Sequence, residues 1–221
     1  MIQTVLFDLD GTLLDRDTSL RLFIENQYER FYEKLCHIPR PIYIERFIEL
    51  DAHGYVWKDK VYQQLTGELE ITSLSWRNLL SDYENEFHHS CISYSGLLQM
   101  LDALQNMGLK VGIVTNGRTE FQLKNIQALG ITHFFSVILV SEKEGVRKPD
   151  SEIFMRALQV LKLVPKECVF IGDHPSNDIR AAQNVGMKAV WKRNPLWLNC
   201  DADAVVDELS QVPEILQEFM N

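Results

Sequence analysis

Two aspartates, Asp8 and Asp10, close an apolar run from Ile2 to Phe7, and Gly11 and Thr12 follow them immediately. If strand alternation persists past Phe7, both carboxylates point the same way and lie a few ångströms apart. Such a pair repels itself, and a divalent cation with hard oxygen ligands relieves the repulsion. Asp173, at the end of another apolar run, supplies a further carboxylate, with Asp178 close behind. Thr115 offers a hydroxyl, and Asn116-Gly117 offers backbone N–H groups in a turn where glycine permits close approach, a cradle suited to phosphate oxygens. Lys148 precedes Pro149, whose ring restricts the lysine backbone to extended conformations and fixes its direction. Singly, each is what turns, caps and solvated loops ordinarily contain. Jointly, all follow apolar strand-like runs.

Those runs must position them. The spacing predicts strands at Ile2 to Phe7, Lys110 to Thr115, Val137 to Val140, Cys168 to Gly172, Lys188 to Trp191 and Ala204 to Val206. Between them fall helical patterns at Leu97 to Met107, Phe121 to Leu129, Glu152 to Leu161, Asn177 to Val185 and Val212 to Met220. Alternating helices and strands predict an α/β protein with a parallel sheet, and ligands of an open parallel sheet bind outside the carboxyl ends of its strands. Asp8, Thr115 and Asp173 fall on that edge; Lys148 lies eight residues beyond Val140 and needs a loop to return.

The first strand is separated from the rest by over eighty residues, where a crossover needs only about a dozen. Residues 16–92 therefore read as a helical insertion in a core of residues 1–15 and 93–221. Leu20, Phe23, Ile24, Phe31 and Leu35 share a helical face, and further amphipathic stretches run from Ile42 to Leu50, Trp57 to Leu65 and Trp76 to Phe87. Four helices are expected, leaving from the ligand-binding end of the sheet as a cap. Trp57, Tyr62 and Trp76 are expected in the cap's core.

A formal net charge of −9 argues against a nucleic-acid groove, which needs a basic face. Cys36, Cys91, Cys168 and Cys200 lack metal or disulfide spacing and read as reduced thiols. With no signal-like N-terminus and no apolar run near the ~18 residues of a membrane span, a cytoplasmic protein without membrane partners is expected. No pattern specifies an oligomer.

Asp8-Leu9-Asp10-Gly11-Thr12, the strand ending Ile113-Val114-Thr115-Asn116-Gly117, Lys148-Pro149-Asp150, and Ile171-Gly172-Asp173 through Asp178 together resemble the four motifs of the haloacid dehalogenase-like hydrolase superfamily. The resemblance covers essentially the whole chain and implies a Rossmann-like core with a small α-helical cap. It further implies a Mg²⁺-dependent phosphatase: Asp8 attacks phosphorus to form an aspartyl-phosphate, and Asp10 protonates the leaving alcohol and then activates water. The metal would be held by the Asp8 side chain, the Asp10 backbone carbonyl and Asp173. Thr115, Asn116 and Gly117 would hold phosphate, Lys148 would balance negative charge, and Thr12 and Asp178 would support them, Asp178 by anchoring Lys148 or metal-bound water.

The expected substrate is a small phosphorylated metabolite: a nucleoside monophosphate, phosphoglycolate or a sugar phosphate. Aromatic cap residues tilt the choice toward a nucleotide. Asp10 argues against a dehalogenase, which has no leaving alcohol to protonate. A phosphomutase and a non-catalytic binding protein on the same fold are the alternatives. Arg147, His174, Asp15 and Asp17 are lesser candidates for substrate, support or hinge roles, and His88 and His89 read as linker. The related phosphonate-cleaving enzymes, which this chain resembles less, depend on a cap lysine for which Lys58 and Lys60 are the positions to consider.

Overall fold

Thr4, Val5, Leu6 and Phe7 alternate in direction along a strand, yet all four are buried, because helices cover both faces of the sheet they centre. The computed structural model describes residues 1–221. Six parallel strands run β1 (Thr4–Phe7), β2 (Lys110–Thr115), β3 (Phe135–Val140), β4 (Cys168–Gly172), β5 (Lys188–Lys192) and β6 (Ala204–Val206). Their spatial order is β3-β2-β1-β4-β5-β6. This is the doubly wound order in which successive connections reverse beside the first strand, opening a crevice at its carboxyl end. Phe7 pairs with Ile113 on one side and Ile171 on the other, so β1, β2 and β4 end together. The expected Rossmann-like α/β core is the fold observed.

One face of the sheet, carrying Leu6, Val114, Phe170 and Trp191, packs against Ile153, Phe154, Ala157 and Leu158 of helix Ser151–Leu161. Phe154 meets Phe170 edge-on, with ring centroids 5.0 Å apart. Helix Leu97–Asn106 packs on β2 and against helix Val212–Met220. The helix expected at Asn177 to Val185 starts instead as a π-helical turn, Pro175–Arg180, before an α-helical turn at Ala181–Asn184. His174 caps this irregular start: its Nδ1 accepts the N–H groups of Ser176 and Asn177, at 3.2 Å each.

The chain divides into two compact units, one of Met1–Asp15 with Ser93–Asn221, the other Arg16–Ile92. The second contains helices Arg16–Arg30, Tyr32–Leu35, Arg40–Asp51, Lys58–Glu68 and Trp76–Glu86. Its core includes Phe23, Tyr43, Phe47 and Tyr62, all fully buried. Gln27 ties its helices together. Its Oε1 accepts from the Tyr43 and Tyr62 hydroxyls at 2.9 and 3.0 Å, and its amide donates to the Leu79 carbonyl and the Asp82 carboxylate. The first apolar stripe breaks at Phe31, which is only half-buried. Trp57 is 67% exposed, so of the three aromatics expected in this core only Tyr62 is fully buried; Trp76 is half-buried under the Arg77 guanidinium.

Candidate active site

The turn after β1 sets the first two acids. The N–H groups of Leu13 and Leu14 both donate to the Leu9 carbonyl at 2.9 Å, and Gly11 N–H donates to the Leu14 carbonyl at 2.9 Å. Gly11 sits at φ +81°, and a Cβ there would come 2.3 Å from Asp173 Oδ2. The turn thus needs glycine both for its backbone and for the neighbouring carboxylate. Asp8 and Thr12 are buried and Asp10 is half-buried; the Thr12 hydroxyl has no hydrogen-bond partner within the chain.

Lys148 does return to this edge. A helical turn at Ser141–Glu144 and Gly145 in the left-handed region reverse the chain after β3. Asn116 then clamps the returning segment, its Oδ1 accepting from Lys148 N–H at 2.9 Å and its Nδ2 donating to the Lys148 carbonyl at 3.0 Å. The Lys148–Pro149 peptide is cis. The Lys148 ammonium is buried and donates to Asp8 Oδ1 at 2.7 Å and Asp178 Oδ1 at 2.6 Å. Asp178 Oδ2 accepts the His174 N–H at 3.0 Å.

Carboxylate oxygens of Asp8, Asp173 and Asp178 lie within 4.8 Å of one another. One ammonium cannot neutralise three such groups. Burial pushes the Asp8 carboxyl well above the usual range, Lys148 pulls it back, and Asp178 and Asp173 push it further up. Asp173 is pushed up to about 7 by burial and then by Asp178, against the opposing pull of Asn194 and Lys148. Burial lowers the Lys148 pKa, but Asp178 and Asp8 outweigh it and the ammonium stays protonated. An excess of buried carboxylate oxygens is a donor set suited to a hard divalent cation.

Three supporting residues were not foreseen from sequence. Asn194 Nδ2 donates to Asp173 Oδ2 at 2.6 Å, and the Trp191 indole N–H donates to the Asp173 carbonyl at 2.7 Å. Asn194 follows β5 at the same sheet edge as the acids, a position that marks it in the sequence. Gln122 Nε2 lies 2.6 Å from Asp10 Oδ2 and 3.0 Å from Thr115 Oγ1. Its only sequence signal is a polar residue on the buried face of helix Thr119–Ala128, beside Asn125 and Ile126.

Of the other sequence candidates, Gly117 donates its N–H to Ser141 Oγ at 3.0 Å rather than presenting it to a ligand. Arg147 is exposed. His174 caps the π-helical turn and lies against Trp197, ring centroids 4.8 Å apart. In the helical unit, His88 stacks on His89, and Asp17 lies 3.5 Å from His53. Lys58 is an ion-pair partner of Asp51 in that unit, and Lys60 lies 3.8 Å from Asp59.

Residues 5–192 match the family model described as haloacid dehalogenase-like hydrolase. A glyceraldehyde 3-phosphate phosphatase of Methanopyrus kandleri is 40% identical, covering 86% of this chain and 83% of that protein. Another of that name, from Pyrococcus furiosus, is 29% identical over 98% of this chain and 93% of its own length. The crystal structure of a HAD phosphatase from Thermococcus onnurineus aligns with a TM-score of 0.70 at 27% identity, covering 97% of this chain and 98% of that one. No helix is long and apolar enough to cross a membrane. The family match over most of the chain, together with the parallel sheet whose reversal point gathers Asp8, Lys148, Asp173 and Asp178, makes this protein a member of the haloacid dehalogenase-like hydrolase family.

Proposed function

We propose that the protein is a Mg²⁺-dependent phosphatase acting on a small phosphorylated metabolite through an aspartyl-phosphate on Asp8. The carrying observation is the buried cluster in which Lys148 bridges Asp8 and Asp178 while Asp173 adds another carboxylate. Asp8, Asp173 and the Asp10 backbone carbonyl would hold Mg²⁺, which when bound supplies the positive charge that lets a phosphoryl dianion approach a carboxylate.

In the first half-reaction an Asp8 oxygen forms a bond to phosphorus as the bond from phosphorus to the ester oxygen breaks, and Asp10 delivers a proton to that oxygen. The alcohol leaves. In the second, water attacks phosphorus, Asp10 takes its proton, and the bond between Asp8 and phosphorus breaks. Thr115 and the Asn116 N–H orient the phosphoryl oxygens, and Lys148 offsets their charge. Asp178 and Asn116 position Lys148, while the buried Thr12 supports the turn that carries Asp8 and Asp10. Asp10 favours ester hydrolysis over dehalogenation because it gives the departing oxygen a proton donor.

Substrate selection belongs to Arg16–Ile92, acting as a cap. The names of the Methanopyrus and Pyrococcus relatives put three-carbon phosphates at the head of the candidates. Tyr62 is sealed in the helical core and hydrogen-bonded to Gln27, which withdraws it from contact with a substrate ring, whereas Trp57 stays exposed.

Phosphate release is the test. Wild-type protein and Asp8→Asn are assayed against glyceraldehyde 3-phosphate, phosphoglycolate, sugar phosphates and nucleoside monophosphates, with and without Mg²⁺. Metal-dependent release that disappears in the variant is expected. Release unaffected by Asp8→Asn would overturn the reading, and sugar-phosphate turnover without free phosphate would point to a mutase.

A further inference from the structure

Gln122 is 2% exposed, and three surrounding features fix it. Asn125, one helical turn along the same helix, donates from Nδ2 to Gln122 Oε1 at 3.2 Å. This leaves the amide nitrogen pointing the other way, toward Asp10 Oδ2 at 2.6 Å, Thr115 Oγ1 at 3.0 Å and the Asn116 carbonyl at 3.1 Å. The reverse orientation would set the amide oxygen against the Asp10 carboxylate and the Asn116 carbonyl, acceptor against acceptor. The third feature is Gly117, where a Cβ would come 2.9 Å from Gln122 Cγ, so the glycine provides the space in which the side chain lies. Gly117, whose own N–H is engaged by Ser141, thereby acquires a role that does not involve touching a ligand.

We infer that Gln122 is the positioning residue for Asp10, tying the proton-transfer carboxylate to the Thr115 hydroxyl through one buried amide. This rests on the phosphatase reading above. Two N–H hydrogens face three acceptors, so the amide can stay bonded to Thr115 and the Asn116 carbonyl while Asp10 leaves it to exchange a proton, and can recapture Asp10 afterwards. A side chain so held makes the approach of Asp10 reproducible without contacting substrate, which is worth part of the 10²- to 10⁴-fold that positioned acid–base groups contribute.

The two half-reactions separate this role from a purely structural one. p-Nitrophenolate leaves phosphorus without needing a proton, whereas an alkoxide does need one; both routes then require Asp10 to activate water. In Gln122→Met, which keeps the length and removes the donors, turnover of an alkyl phosphate should fall by about 10- to 100-fold in kcat with little change in KM. With p-nitrophenyl phosphate, release of about one equivalent of nitrophenolate per site should be followed by a steady rate reduced by a similar factor, as the aspartyl-phosphate accumulates. Gly117→Ala, which crowds Gln122 but leaves its amide intact, should move both readouts the same way and less far, and keeps the question open to test if Gln122→Met folds poorly. Loss on both esters that only tracks the amount of folded protein, with no burst ahead of a slower steady phase, or no change in either variant, would overturn the inference and leave the phosphatase reading standing. A wild-type protein that hydrolyses neither ester would overturn both.

Discussion

Lys148 carries more electrostatic load than any other side chain in the site. It is buried between Asp8 and Asp178, so Lys148→Met leaves two carboxylates facing each other with no cation. Removing one partner from a buried ion pair typically costs about 3–5 kcal/mol, because the remaining charge has lost both water and its counter-ion. Urea unfolding of the metal-free variant should show a loss of that order, with phosphatase activity abolished; a loss under about 1 kcal/mol would mean that water already reaches the acids. Gly11 makes a sharper test of geometry because its substitution adds only a methyl group. At φ +81° an alanine is strained, and its Cβ would overlap Asp173 Oδ2. Gly11→Ala should therefore displace Asp173 and weaken Mg²⁺ binding by about tenfold or more. Isothermal titration would read the change, and an unaltered affinity would remove Asp173 from the metal site.

Within the helical unit, the ends of three helices meet at one acid. Asp51 is buried, and both Arg16 and Lys58 donate to it from side chains that are themselves mostly covered. Burial pushes the Asp51 carboxyl up, but Arg16 and Lys58 outweigh it and the net shift is downward. A folded pKa below the unfolded value of about 3.9 means that the stabilisation is present above about pH 4 and is lost as pH falls through the folded pKa. Asp51→Asn should therefore cost about 3–5 kcal/mol at pH 7 and progressively less below about pH 4. A penalty independent of pH would show that shape, not charge, holds these helices. This triad was not legible in the sequence, since its members are 35 and 7 residues apart and the patterns of separate helices do not say which polar ends meet. The strands were far more legible: β2, β4 and β6 run between the expected residues because they are short, rich in β-branched residues and bounded by turn residues. Trp57 was misread because it lies just outside the helix its spacing suggested, as the extended residue before Lys58–Glu68, where a helical azimuth does not apply. Gln122 escaped for a related reason: a buried amide leaves no periodic mark, and its partners Asp10 and Thr115 come from two other segments.

At the scale of the molecule, the two units should respond to different perturbations. Asp8, Asp10, Lys148, Asp173 and Asp178 all belong to the unit of Met1–Asp15 and Ser93–Asn221, whereas Asp51, Arg16 and Lys58 all belong to Arg16–Ile92. Each unit has a buried apolar core of its own, built on Phe7, Phe154 and Phe170 in one and on Phe23, Phe47 and Tyr62 in the other. A ligand that binds only folded protein stabilises what it binds, by about 2.7 kcal/mol at a hundred times its Kd. The metal-free sheet unit also starts from a deficit, since its clustered carboxylates repel one another until a cation arrives. Calorimetry of the whole chain at pH 7.5 should therefore resolve two transitions, of which Mg²⁺ raises one and leaves the other in place. Asp51→Asn should lower the transition that Mg²⁺ does not move. If Mg²⁺ and Asp51→Asn instead shift a single transition in opposite directions, the chain unfolds as one cooperative block, and metal binding at the sheet edge would then stabilise the helical insertion through that cooperativity.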